Sequence, residues 1–293
     1  MRIGAGQVVA GFVALLAVAG CGSEVPEGLV LKEAKGAGAP ASPYAGPLKA
    51  KTPSWVGEDS PLEGGGAALL TLECKGKPSS AGSGSDYDDD PMDSPEEALA
   101  AQVGDQFWHD MPDRDYRVER RTGTRVLFSY DVGGRTRAAV IVAKGRADKA
   151  GWRGETRASC DPSEFRRADR ERLDIKVWED RRGRPVSTTK IDSSMGPEHC
   201  DWQTVEFLHL DSAKDRRGQG RQYLRDPEGQ LTDLKTLRSS YAEDVPMPAD
   251  AVDTGYRHHG RKLWLAADGA AAYVRTDGRV ERWPGVTEPV ACA

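Results

Sequence analysis

The chain contains no asparagine and little isoleucine, while arginine outnumbers lysine and Ala, Gly, Asp and Val recur. That bias reflects a GC-rich coding sequence and carries no chemistry of its own. A surplus of positive charge is also missing: 41 Lys and Arg stand against 46 Asp and Glu, for a net charge of −5, with the two signs interleaved. Phosphate neutralisation needs a basic face, so nucleic acid is not an expected partner. Catalytic signatures are absent as well. No Gly-x-Ser-x-Gly elbow occurs, and "SAGSGSD" (80–86) reads as a flexible loop. There is no phosphate-cradling Gly-x-x-x-x-Gly-Lys, and "RRGQGRQY" (216–223) lacks the third glycine of a dinucleotide fingerprint. No fixed-period repeat runs along the chain. Aromatics make up 7% and hydrophobics 38%, enough for a core but not a generous one.

What is present begins at the N-terminus. Met1-Arg2 is followed by an apolar, small-residue run from Ile3 to Gly20, the layout of a secretory signal. A spanning helix needs about 20 strongly apolar residues, and this run is diluted by Gly4, Gly6, Gln7 and Gly11. Val18-Ala19-Gly20-Cys21 resembles the bacterial lipobox: an aliphatic residue, two small ones, then a cysteine. The resemblance implies cleavage before Cys21 and a diacylglyceryl thioether on its thiol. Two acyl chains make anchoring stable, because each buried methylene contributes about 0.8 kcal/mol. The expected location is therefore the extracytoplasmic face of the cell membrane, with the membrane as a partner through the lipid on Cys21.

Cys74, Cys160, Cys200 and Cys292 remain, an even number in an exported chain, and structural disulfides are expected. Three pairings are open. Cys74–Cys160 with Cys200–Cys292 is favoured, since each bond would close one half of the chain. Metal-binding cysteines come in close pairs, and these do not, so no metal or cofactor is expected.

Residues 21–65 are rich in Gly, Pro, Ala, Ser and Lys, as in "GAGAPASPYAGPLKAKTPSW" (36–55), and read as a flexible tether. Its span would be roughly 35–40 Å, more where prolines stiffen it. A first unit, 66–165, is expected to lay one helix on an antiparallel sheet, cystatin-like in outline. "ALLTLEC" (68–74) reads as a strand and a Ser/Gly/Asp loop follows. Ser94, Pro95 and Glu97 announce a helix whose stripe is Leu99, Val103, Phe107 and Met111. Residues 116–145 alternate and turn at Gly123 and Gly133-Gly134, as a meander does. "GWRGETRASC" (151–160) supplies another strand, and "RRADRER" (166–172) is a charged bridge. The second unit, 166–293, reads as mostly β, so the fold class is α+β. Its candidate strands are "LDIKVWED", "PVSTTKI", "WQTVEFLHL" and "RQYLRD". Two Asp-Gly hairpins follow, at Asp268-Gly269 and Asp277-Gly278, sharing Tyr273-Val274 in a three-stranded meander. Pro246 and Pro248 mark a loop.

The constellations with chemical interest are few. Asp86, Asp88, Asp90 and Glu97 have the spacing of a calcium-binding loop, but Pro91 stands where that loop turns on glycine. An acidic solvated loop, with Glu97 engaged in capping, explains them. The histidines, His109, His199, His209, His258 and His259, form no His-Glu-x-x-His; the last two precede a strand and would point to opposite faces if extended. Trp178, Trp202, Trp264 and Trp283 lie in or beside strands, where a glycan platform or core packing would each use them.

With "VAGC", the tether, and the phrases "GPEHCDWQTVEFLHL", "YLRDPEG" and "LWLA…AYVRTDGRVERWP…CA", the chain resembles exported actinobacterial lipoproteins of no assigned activity. The expected function is a non-enzymatic, membrane-tethered module binding a protein or cell-envelope component. The alternatives are a structural or sensory subunit of a membrane complex and a cell-envelope hydrolase.

Overall fold

The computed structural model describes residues 31–32, 43–57, 60–83, 91–104, 111–145, 150–214, 220–231, 235–288 and 290. It mixes short helices with antiparallel sheets and is mostly strand. Cys21, Asp86, Asp88, Asp90, Phe107, His109 and Cys292 lie outside the described residues. No helix among the described residues is long and apolar enough to cross a membrane.

A six-stranded sheet takes the order β1-β3-β4-β5-β6-β2, with β1 Leu31–Lys32, β2 Pro78–Ser83, β3 Tyr116–Arg121, β4 Arg125–Val132, β5 Arg135–Lys144 and β6 Trp152–Cys160. All pairs are antiparallel except β1 with β3. Period-two alternation separates two apolar faces. Val126, Phe128 and Tyr130 with Ala138, Val140 and Val142 face α2, Pro95–Gly104, and its Leu99 and Val103. Leu127, Ala139, Ile141 and Ala158 face the opposite way, onto Ala67, Ala68 and Leu69. Because both faces are covered, β5 is buried nearly throughout and reads as a continuous apolar run.

Helix α2 starts as its sequence indicates. Ser94 Oγ accepts from Glu97 N at 3.1 Å, and Glu97 Oε2 reaches back to Asp93 N at 3.1 Å. That second bond engages Glu97, the twelfth position of the acidic loop.

Four local expectations are corrected. "ALLTLEC" is not a strand: Gly66–Thr71 is helix α1. Five of its six residues are buried, so the helical period that would have separated it from a strand is invisible. Gly66 opens it at φ +45°, where a Cβ would stand 2.7 Å from Thr156 Cγ2 and 2.9 Å from Ala50 O, so only glycine fits. The supposed loop at 78–83 is edge strand β2, paired with β6. Residues expected in the tether pack instead: Leu48 and Leu62 join the α1 cluster, Arg120 donates to Gly46 O at 2.6 Å, and Tyr44 N donates to Glu119 at 2.6 Å. "LDIKVWED" and "PVSTTKI" give isolated bridges at Lys176, Glu179 and Pro185, and the regular strand begins only at Ile191.

Beyond residue 165, α3 (Arg167–Arg172) leads to a three-stranded sheet, β7 Ile191–Met195, β8 Glu206–Lys214 and β9 Gly220–Arg225. A four-stranded sheet follows: β10 Val252–His258, β11 Arg261–Leu265, β12 Ala271–Thr276 and β13 Arg279–Pro284. The expected three-stranded meander is β11–β13, and β10 extends it. The β10–β11 turn is His259-Gly260, both at positive φ, so the two histidines are not on opposite faces of one strand; their rings meet at 4.5 Å. The two sheets share a core of Trp178, Ile191, Leu208, Leu210, Tyr223, Leu263, Val274 and Trp283.

Cys74 and Cys160 form a disulfide across 86 residues. Cys200 is also disulfide-bonded. The residues just after Cys160 act as a clamp. Glu164 accepts from Lys75 N and Gly76 N and pairs with Arg137 at 2.8 Å. Asp161 accepts from Ser163 N at 2.8 Å, Ser187 Oγ at 2.6 Å and Thr188 N at 3.0 Å, tying β6 to the segment before β7. Burial would raise the Asp161 carboxyl, but the bonds from Ser163, Ser187 and Thr188 hold it below its ordinary value.

Candidate functional site

The outer face of the three-stranded sheet carries the candidate site. Along β7, Ile191 and Ser193 point into the core, where Ser193 Oγ accepts from Trp178 Nε1 at 3.0 Å. Asp192 and Ser194 therefore point outward. The register sets Asp192 opposite His209 on β8, and His209 opposite Gln222 on β9. Directly opposed residues hold their Cβ atoms about 5 Å apart, so the three form one polar row.

The row is oriented from β9. Val290 N donates to Gln222 Oε1 at 3.1 Å, which leaves Gln222 Nε2 to donate to His209 Nε2 at 3.0 Å. In the neutral imidazole this makes Nε2 of His209 the acceptor and places the proton on Nδ1. Burial pushes the Asp192 carboxyl above its ordinary value, with His209 and the Ser193 backbone N–H opposing the shift.

Asp192 and His209 open into a groove of about 980 Å³. Ser79, Pro162, Leu173–Lys176, Thr188 and Ser194–Pro197 line it as well. Met195, exposed, lies at its rim with Lys176 Nζ 3.0 Å from its sulfur. Lys176 also pairs with buried Glu206 at 3.4 Å, and Arg261 pairs with the same carboxylate at 2.8 Å. Hydroxyls, a carboxyl, an imidazole and an apolar rim suit an extended ligand with alternating polar and apolar groups. No hydroxyl or thiol among the described residues hydrogen-bonds His209, and no group of three or more His, Cys, Asp or Glu among them is placed to hold a metal.

The tryptophans do not assemble a glycan platform. Trp178 and Trp283 are fully buried, Trp283 donating to Glu281 at 2.7 Å, and Arg257 covers the Trp264 ring. Of the described histidines, His209 alone lines the groove; His258 packs on Trp178 at 5.6 Å. Asp192 was missed in the sequence because "PVSTTKI" is taken there as the strand, one segment early; Gln222 lies in the expected strand "RQYLRD", but nothing local marks it as His209's partner. Alternation in "IDSSM" opposite "EFLHL" was the available signal. Comparison of the chain with protein-family models, curated proteins and solved structures gave no match.

Proposed function

We propose that this chain is a lipid-anchored, non-enzymatic binding module on the extracytoplasmic face of the membrane, held through Cys21, with the β7–β8 groove as its contact for a cell-envelope or protein partner. The observation that carries it is the groove itself, whose Asp192–His209–Gln222 row is oriented by Val290 yet leaves Asp192 facing open space. The Cys74–Cys160 bond supports an oxidising compartment. The reading divides the chain near residue 165, with α2 across a meander in a cystatin-like outline in the first unit. Apolar clusters that do not mix between the halves support that division.

Two measurements test the proposal. Mass spectrometry of the chain expressed in a lipoprotein-processing bacterium should find diacylglyceryl on Cys21, and Cys21→Ser should release the protein from the membrane fraction. Ser194→Trp, which fills the groove, should abolish binding to purified cell-wall sacculi. Co-purification with a membrane complex irrespective of Ser194→Trp would favour a structural or sensory subunit. Soluble fragments released from sacculi would favour a hydrolase.

A further inference from the structure

The "RRADRER" segment holds four arginines, and their pairing runs against their burial. Arg167, with its side chain 65% exposed, bonds Glu171 at 2.7 Å. Arg166, 33% exposed, bonds Asp169 at 2.5 Å and also Asp115; Arg172, 24% exposed, bonds Asp169 at 3.1 Å and also Asp113. Arg170 is only 7% exposed, and it makes no ion pair or side-chain hydrogen bond among the described residues. Its Nε is buried without an acceptor. An isolated buried guanidinium is costly unless a counter-charge meets it.

Arg170 lines a half-open cavity of about 40 Å³ with Arg167, Glu171, Glu179, His258 and His259. Of the two carboxylates there, Glu171 is held by Arg167. Glu179 is fixed at its backbone by Arg257, at 2.7 and 2.8 Å, and acts on Arg170 only through space. Burial lowers the His258 pKa, so its ring is neutral at pH 7 and adds a polar wall without charge. The cavity has room for two or three water-sized atoms, enough for the two oxygens of a carboxylate, on about 10–15 Å³ each.

We propose that this cavity is a carboxylate-binding site, in which Arg170 takes both oxygens of a small ligand's carboxylate through its two Nη groups, its Nε being sealed from solvent beside them. Its lining is separate from that of the β7–β8 groove except for Ile175, which lines both. A guanidinium matches a planar carboxylate bidentately and is less strongly hydrated than an ammonium, so arginine and not lysine suits the place.

The test is a titration of the full chain with potassium formate, with chloride and inorganic phosphate as controls at constant ionic strength. It is read at the Arg170 Nε–Hε NMR resonance, identified by its loss in Arg170→Lys. Formate should shift that resonance saturably and chloride should not. Arg170→Lys should weaken formate binding about tenfold, followed on neighbouring amides, because the forked pair is lost. Glu179→Gln, which removes the competing carboxylate without touching Arg170, should tighten binding several-fold. An Arg170 resonance that stays fixed to about 100 mM formate overturns the site, whether or not the lysine variant folds. Saturable phosphate binding tighter than formate overturns the carboxylate assignment.

Discussion

The six-stranded sheet and the three-stranded sheet treat their second faces differently. In the first, β4 and β5 are covered by α2 on one side and by α1 with Leu48 and Leu62 on the other. Charged groups around it end in pairs: Arg137 with Glu164, Arg117 with Asp131 at 2.5 Å, and Tyr130 and Arg166 with Asp169. In the second, β7–β9 bury one face in the shared core, but the other is split. Val205, Phe207, Leu224 and Leu231 make a small cluster at one end, and Asp192, His209 and Gln222 stay polar at the other. The sheet that closes both faces pairs these charged groups with one another, although Arg137 Nε, Arg153 Nε and Ser159 Oγ stay buried without a hydrogen-bond partner. One that closes a face and a half leaves a groove and groups able to meet something else. Breaking the two regions separately is the way to test that contrast.

The largest effect should come from the disulfide. Replacing both Cys74 and Cys160 by serine should cost about 4–5 kcal/mol in denaturant unfolding, from the loop of 86 residues that the bond closes. A loss below about 1 kcal/mol would mean that the Glu164 and Asp161 clamps alone hold this corner.

Next come the cores. Phe128, fully buried against α2, should lose about 4 kcal/mol on replacement by alanine. Phe207, in the small outer cluster with a slightly exposed ring, should lose about 3 kcal/mol, because a rim site relaxes more easily. Equal losses would remove the distinction between the two sheets.

A pH prediction sharpens it. Burial first, then His259 and Arg261, push His258 down to about 4 from its ordinary 6.5. The unfolded chain takes up a proton near pH 6.5 and the folded chain only near 4, so stability should fall as pH drops across that window. The ceiling is about 3 kcal/mol, and His258→Phe, which keeps an aromatic ring against Trp178, should remove it. Unfolding free energies at pH 7 and 4.5 for both proteins check this. A difference that survives in His258→Phe would place the titration elsewhere.

Much of this fold was legible. The capping residues placed α2, glycine pairs placed the β4–β5 turn, and Asp-Gly placed both late hairpins. Local chemistry is what a sequence prints. The misses are cases where tertiary context overrode it. Helix α1 is too buried to display a period; β2, "PSSAGS", is a strand only because β6 offers it an edge; and β10 turns on His259, a residue that adopts positive φ less readily than asparagine or aspartate. The site was less legible than the fold, because Asp192, His209 and Gln222 are 13 to 30 residues apart and meet only by register. Arg170 is a different case. Spacings of three and four pair Arg166 and Arg172 with Asp169 and Arg167 with Glu171; they also offer Arg170 a partner in Asp174, which the end of α3 at Arg172 leaves unused.

The smallest effect separates two aspartates. Asp169 is buried, which would raise its carboxyl, but Tyr130, Arg166 and Arg172 hold it below its ordinary value. Asp192 is raised, by burial, with no cation hydrogen-bonded to it among the described residues. The signs at pH 7 are therefore opposite. Asp169→Asn should cost about 2 kcal/mol, since it removes a charge that three donors share. Asp192→Asn should stabilise the fold by under about 1 kcal/mol, since the folded state holds the Asp192 proton more tightly than the unfolded one and is penalised once the group ionises. That gain should vanish as pH falls below the ordinary carboxyl value of 3.8, where both states carry the proton. Unfolding of Asp192→Asn at pH 7 and pH 3.5 decides it. A loss of stability at pH 7 would mean that the ionised carboxylate has a structural partner, and the groove would no longer be a place where the fold leaves a group unspent.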